Sequence, residues 1–211
     1  MARQIVNERR RVVDNLLIVN YNHSKVYSRR YQMKTRDLTQ IAILVALMAI
    51  CSWITIPTVV PFTLQTLGVF LAISLLGGKR GTLAVLIYLL LGAVWLPVFA
   101  GFASGPAALL GTTGGYILGF LAQAAVMWTA EHFLGRRTWV FLLSGVLGLA
   151  VCYLLGSVWF LFLYSRTTGP VGMLTVLGWC VFPFVLPDLA KLALATALGR
   201  RLAPALGQPA R

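Results

Sequence analysis

The segment GTLAVLIYLLLGAVWLPVF, residues 81–99, carries no charged residue and no alternation of apolar with polar positions. Strands that face lipid or a core on one side alternate, so this run excludes a transmembrane β-barrel. A helix of about 20 apolar residues crosses the hydrocarbon core of a bilayer, and runs of this kind recur along the chain. The apolar pattern predicts six helical spans at 38–56, 62–77, 81–98, 107–134, 138–164 and 171–199. They are separated at Pro57–Pro61, GGKRG (77–81), GFASGP (101–106), GRR (135–137) and SRTTGP (165–170). The second run is short, and the fourth and sixth are long enough to tilt or break. Composition agrees: 59% of the 211 residues are hydrophobic, 11% are charged, and mean hydropathy is +0.83. Soluble domains carry about 25% charged residues.

The net charge of +13 raises the question of nucleic acid, and the placement of the charges answers it. Nine of the 18 Lys and Arg residues lie in the first 36 positions; others sit at Lys79–Arg80, Arg136–Arg137, Arg200–Arg201 and Arg211. These clusters punctuate apolar runs and form no basic face with interleaved aromatics, which excludes nucleic-acid binding. With the N-terminus in the cytoplasm, 16 of the 18 fall on the cytoplasmic side, leaving Arg166 outside and Lys191 within a span. The expected fold class is therefore an all-α integral membrane protein with six transmembrane helices and both termini cytoplasmic. Residues 1–32 read as a basic extension or an upstream start, because MKTRDLTQIAILVAL begins naturally at Met33. An arm touching anionic membrane lipid is the alternative. Residues 33–199 form the transmembrane domain and residues 200–211 a short cytoplasmic tail.

The stretch PFVLPDLAKLALATAL, 183–198, holds Asp188 and Lys191 three residues apart in an otherwise apolar run. At that spacing they share a helix face. Each costs roughly 2.5–3.5 kcal/mol at mid-membrane, so the pair should face protein or a water-filled cavity. Pro183 and Pro187 favour a kink or restart, and a restart near Pro187 would put Asp188 at a helix N-terminus. One reading is an internal ion pair that neutralises itself, as in a non-transporting scaffold subunit. The other is a ligand site, in which the carboxylate accepts from N–H groups and the ammonium donates to a carbonyl or carboxylate. Gln65, in VPFTLQTLGVF, offers donors and an acceptor without charge; helix packing would explain it equally well. In GTTGGYILGF, Gly111, Gly115 and Gly119 make a smooth stripe. Close helix packing suits Gly119, whereas Gly114, Gly115 and Tyr116 could line a pocket. Ala42 and Ala46 form a weaker small-residue face on the first span.

Catalytic patterns are missing. GFASGP does not place Ser104 in a nucleophile elbow, His132 lies at a span end, and no HExxH or Walker A sequence occurs. Neither a metal site nor a disulfide is expected from Cys51, Cys152 and Cys180, which sit singly in apolar runs. An enzyme is not expected.

Five motifs, VPFTLQTLGVFLA, GGKRGTLAVLIYLLLGAVWLPVFAGF, GTTGGYILGF, CYLLGSVWF and VLPDLAKLALA, occur in this order over roughly residues 35–199. Together they resemble the BioY family, the biotin-specific substrate-binding (S) components of energy-coupling-factor (ECF) vitamin transporters. The resemblance implies the six-helix S-component fold, in a bacterial cytoplasmic (inner) membrane, binding biotin near its outer face. It implies a transmembrane T subunit and two ABC-type ATPases as partners; ATP is used there, and no cofactor is bound by this chain. The family's ligand residues fall on Gln65, Asp188 and Lys191, and its T-subunit docking face on Ala42 and Ala46. Biotin's ureido N–H would then be accepted by Asp188, with Gln65 holding the ring. Lys191 would meet the ureido carbonyl or the valerate, and Tyr116 and Tyr153 would cover the thiophane ring and chain. Three departures stand out: Thr112 where the family has proline, Trp95 where it often has glycine, and Leu186–Pro187 ahead of Asp188. Residues 1–32 have no counterpart among these motifs.

Overall fold

The computed structural model describes residues 35–206, so the expectations for 1–32 and for the end of the tail lie outside the described residues. The chain divides into two units, Met1–Leu38 and Thr39–Arg211; of the first, only Thr35–Leu38 is described. The helices are α1 (Thr35–Trp53), α2 (Gln65–Leu76), α3 (Gly78–Ala93), α4 (Gly105–Leu110), α5 (Gly114–Leu134), α6 (Thr138–Thr167), α7 (Met173–Cys180) and α8 (Phe182–Leu202). A two-residue hairpin pairs β1 (Thr55–Ile56) antiparallel to β2 (Phe62–Thr63) across the Pro57–Pro61 break. Each expected span meets a helix, and the two longest runs do break, at Gly111–Thr113 and at Val181. Among the described residues, four helices, α1, α5, α6 and α8, are long and apolar enough to cross a membrane. The chain is thus a mostly helical, multi-pass membrane protein.

α2 explains its own shortness. All 12 of its residues are buried, from Gln65 to Leu76, so it is a central strut surrounded by other helices. A helix that is apolar all round and enclosed by protein needs neighbours on every face. α1, by contrast, buries Ile41, Leu44, Val45 and Met48 and exposes Ala42, Ile43, Ala46 and Ile50.

α5 and α6 are zipped by glycine. A Cβ on Gly119 would stand 2.8 Å from the Cys152 sulfur, and one on Gly156 would stand 2.1 Å from the Tyr116 ring. Gly148 faces Gln123 in the same way. Only hydrogen at these positions lets the two backbones approach so closely, which is how helices associate where no hydrophobic effect separates them from lipid.

One end of the bundle gathers the basic loops. Arg136 donates to the carbonyls of Ser74 and Leu75 at 3.0 and 3.3 Å, at the C-terminus of α2. Glu131 accepts the Gly78 N–H at 3.1 Å, at the N-terminus of α3. Cation and anion each meet the helix end whose dipole favours them. Burial pulls the Arg136 guanidinium below its ordinary pKa, while Glu131 opposes the shift. Arg200 reaches Thr138 Oγ1 at 3.1 Å, so the last turn of α8 lies at this same end.

One expectation is corrected. The restart comes at Val181, not near Pro187, and α8 runs unbroken through Pro187. Pro183 occupies the first turn, where a missing N–H loses no helical bond, and Pro187 removes only its bond to residue 183. α8 continues past the expected end of the last span at 199, through Arg200 and Arg201 to Leu202. The glycine seam predicts that Gly156→Ala costs about 1–3 kcal/mol through overpacking against Tyr116. Thermal unfolding in detergent should show a transition several degrees lower.

Candidate ligand-binding site

Lys191 and Asp188 face each other on α8, Nζ to Oδ1 at 2.8 Å, and are 6% and 3% exposed. Neither is held by the other alone. The ammonium also donates to the Thr63 carbonyl of β2 at 2.7 Å and sits 4.5 Å above the centre of the Phe62 ring. The second carboxylate oxygen accepts the Tyr153 hydroxyl of α6 at 2.6 Å. Charge-assisted hydrogen bonds of this kind offset the cost of taking both groups out of water. The Asp188 carboxylate therefore owes its stability to Lys191 and Tyr153 rather than to a helix N-terminus. Capacity remains: the ammonium has a third hydrogen, and each carboxylate oxygen has a second lone-pair direction.

This pair lines a cavity of about 70 Å³. Gln65, Tyr116 and Tyr153 line it too, together with Thr63, Thr66 and Thr113. Its apolar walls come from Val60, Ile117, Phe120, Leu149 and Phe184. The lining matches that of small-ligand sites: mostly apolar, with a few fixed polar groups. Tyr116 is held by its hydroxyl to Ser157 Oγ at 3.0 Å and by its ring against Gly156. Gln65, 4% exposed, donates from its backbone N–H to Thr63 Oγ1 at 3.1 Å and from Nε2 to the Tyr88 hydroxyl at 2.9 Å.

The structure brings together Gln65, Tyr116, Tyr153, Asp188 and Lys191. Gly114 and Gly115 stand behind the wall: a Cβ there would strike the Leu109 carbonyl and the Trp159 side chain. They let α4 and α6 approach rather than offering backbone to the cavity. Ala42 and Ala46 lie on the exposed face of α1 and do not line it. Sequence reasoning missed the hydrogen bonds of Tyr153 and Tyr88, whose rings gave no sign of polar partners. It also missed that Cys152 and Cys180, both buried, line the cavity. Among the described residues no group of three metal-ligating side chains occurs.

A helical membrane protein with a small, mostly apolar cavity around a buried ion pair has the architecture of a membrane-embedded solute-binding protein. The BioY family matches residues 24–208, beginning further upstream than the sequence motifs. The chain is 42% identical over 168 residues to a protein named biotin transporter BioY from Thermotoga maritima, covering 79% of this chain and 95% of that one. It is 40% identical over 171 residues to a probable biotin transporter BioY from Pyrococcus horikoshii, covering 81% and 98%. Among solved structures, the S-component for biotin from an ECF-type ABC transporter superposes with a TM-score of 0.71 at 28% identity, over 81% of this chain and 94% of that one. The chain belongs to the BioY family. Its named relatives are transporters, which places it outside the enzymes.

The ion pair makes a thermodynamic prediction for the empty protein. Lys191→Met alone strands a buried carboxylate and should cost about 3–5 kcal/mol, whereas adding Asp188→Asn should restore most of it. Thermal unfolding of the two purified variants without added ligand measures the difference.

Proposed function

We propose that this chain binds biotin in the Asp188–Lys191 cavity and carries it into the cell as the S component of an ECF transporter. The observation that carries this is an ion pair opening onto a cavity with unused donor and acceptor capacity. Biotin's ureido ring brings two N–H donors and a polar carbonyl; its thiophane ring and chain need apolar walls. Asp188 accepts from one ureido N–H, Gln65 holds the ring, and the free Lys191 hydrogen meets the ureido carbonyl or the valerate. Tyr116 contributes its ring to the apolar cover, and Tyr153 contributes both ring and hydroxyl. Gly114 and Gly115 take part only through the packing that sets Tyr116.

Six spans with both termini cytoplasmic is the topology we propose, in the cytoplasmic (inner) membrane. The shared end of the Lys79–Arg80, Arg136–Arg137 and Arg200–Arg201 clusters supports it, since loops retained in the cytoplasm are basic. α2, enclosed by protein, and α3, at 16 residues, complete the count despite their length. The exposed Ala42–Ala46 face of α1 is the docking surface for the T subunit, through which two ABC-type ATPases apply the energy of ATP. This chain itself needs no cofactor.

The alternative, a scaffold subunit with a structural ion pair, leaves the cavity unexplained. Isothermal titration with biotin separates the two. Asp188→Asn should weaken binding at least tenfold, and unchanged affinity would remove the site assignment. The exchange Asp188→Lys with Lys191→Asp should preserve function in a scaffold and abolish binding in a ligand site. Ala42→Leu with Ala46→Leu should leave biotin affinity intact and abolish co-purification with the T subunit.

A further inference from the structure

Resting on the reading of Gln65 as a ligand contact, we infer that Tyr88 is a positioning residue that sets which end of the Gln65 amide the ligand meets. A glutamine amide has a donor end and an acceptor end of nearly the same shape, so its neighbours must choose between them. Tyr88 on α3 is fully buried, and its ring is fixed edge-on against Phe99 at 5.6 Å. Phe99 in turn fills the space left by Gly92, where a Cβ would stand 2.1 Å from its ring.

The Tyr88 hydroxyl gives its one proton to the Val98 carbonyl at 2.8 Å. Having spent that proton, its oxygen can only accept, and it accepts from Gln65 Nε2 at 2.9 Å. The amide nitrogen is thereby turned toward Tyr88, which does not line the cavity. Oε1 is the end left for a ligand. The opposite orientation would require the hydroxyl to leave the Val98 carbonyl, which would then keep only the Ser52 hydroxyl as donor, and donate to Gln65 instead.

The consequence is a specificity rule. Beside the hydroxyls of Thr63, Thr66 and Thr113, which can donate or accept, the cavity then offers two fixed acceptors, the Asp188 carboxylate and Gln65 Oε1, and one fixed donor, the Lys191 ammonium. That polarity selects a ring edge with two N–H donors around a carbonyl, a cyclic urea, and penalises rings whose edge carries only acceptors. Without Tyr88 the amide would be free to turn and the second acceptor would be lost part of the time.

A double-mutant cycle on the full-length protein tests this, with biotin titrated calorimetrically into wild type, Tyr88→Phe, Gln65→Leu and the double variant. Tyr88→Phe should bind about tenfold more weakly, the size of one lost hydrogen bond. Gln65→Leu should lose at least as much, and the double variant should bind no more weakly than Gln65→Leu alone. Wild-type affinity in Tyr88→Phe, or losses that multiply in the double variant, would overturn the inference. A Gln65→Leu protein that binds normally while Asp188→Asn does not would overturn it together with the Gln65 contact, leaving the cavity assignment standing. Should Tyr88→Phe fail to fold, the wild-type protein decides. Biotin methylated on its ureido nitrogens should bind at least tenfold more weakly, and equal binding would overturn the inference.

Discussion

An ammonium and a carboxylate buried inside a membrane protein are tolerable only when both are paired and fully hydrogen-bonded. Here that requirement organises the molecule. Asp188 and Lys191 come from one helix, yet their remaining partners come from elsewhere: Thr63 from the β-hairpin and Tyr153 from α6. The pair is therefore a junction of three chain segments. Losing Thr63 or Tyr153 would leave one charge short of a hydrogen bond, and losing either ion would leave the other unpaired. The same groups keep capacity in reserve on the side that faces the cavity, so one arrangement can serve both stability and recognition.

The rest of the bundle can be understood as what makes that junction rigid. α2 is buried on every face and begins at Gln65, which fixes one wall of the cavity to the core. The glycine seam presses α5 onto α6, seating Tyr116 against Gly156 and Cys152 against Gly119. At the far end, Arg136 and Glu131 tie the α5–α6 turn to the ends of α2 and α3. On the cavity side, the loop after α3 carries Trp95 and Phe102 at φ 67° and 60°, left-handed conformations that glycine adopts freely and bulky residues resist. The Trp53 indole, stacked on Phe102 and donating to the Pro97 carbonyl, helps hold that loop. A tryptophan where the family often has glycine thus adds local strain without touching a polar cavity group.

Much of this was legible in the sequence because membranes impose simple rules. Uninterrupted apolar runs announced the helices, and the Gly119 spacing announced a close helix contact. The rarity of intramembrane charge singled out Asp188 and Lys191. What stayed hidden depended on tertiary position. Pro187 looked like a helix break, yet the break moved to Val181, where Pro183 could take the first turn at no loss. Gly114 and Gly115 looked like exposed backbone but are used up by Leu109 and Trp159. The hairpin is only two residues on each side, too short for any periodic signal. The buried partners of Tyr88 and Tyr153 follow from which helices meet, which no local pattern encodes.

The central claim is that the buried pair exists to read a ureido ring. Its most direct test is calorimetric titration of the wild-type protein with three ligands: biotin, biotin blocked at the valerate, and biotin whose ureido nitrogens carry no hydrogen. The account predicts saturable one-to-one binding of biotin and loss of binding when the ureido hydrogens are removed. The size of any change on blocking the valerate would identify the partner of Lys191. Failure of biotin to bind, or equal binding of the ureido-blocked compound, would contradict it.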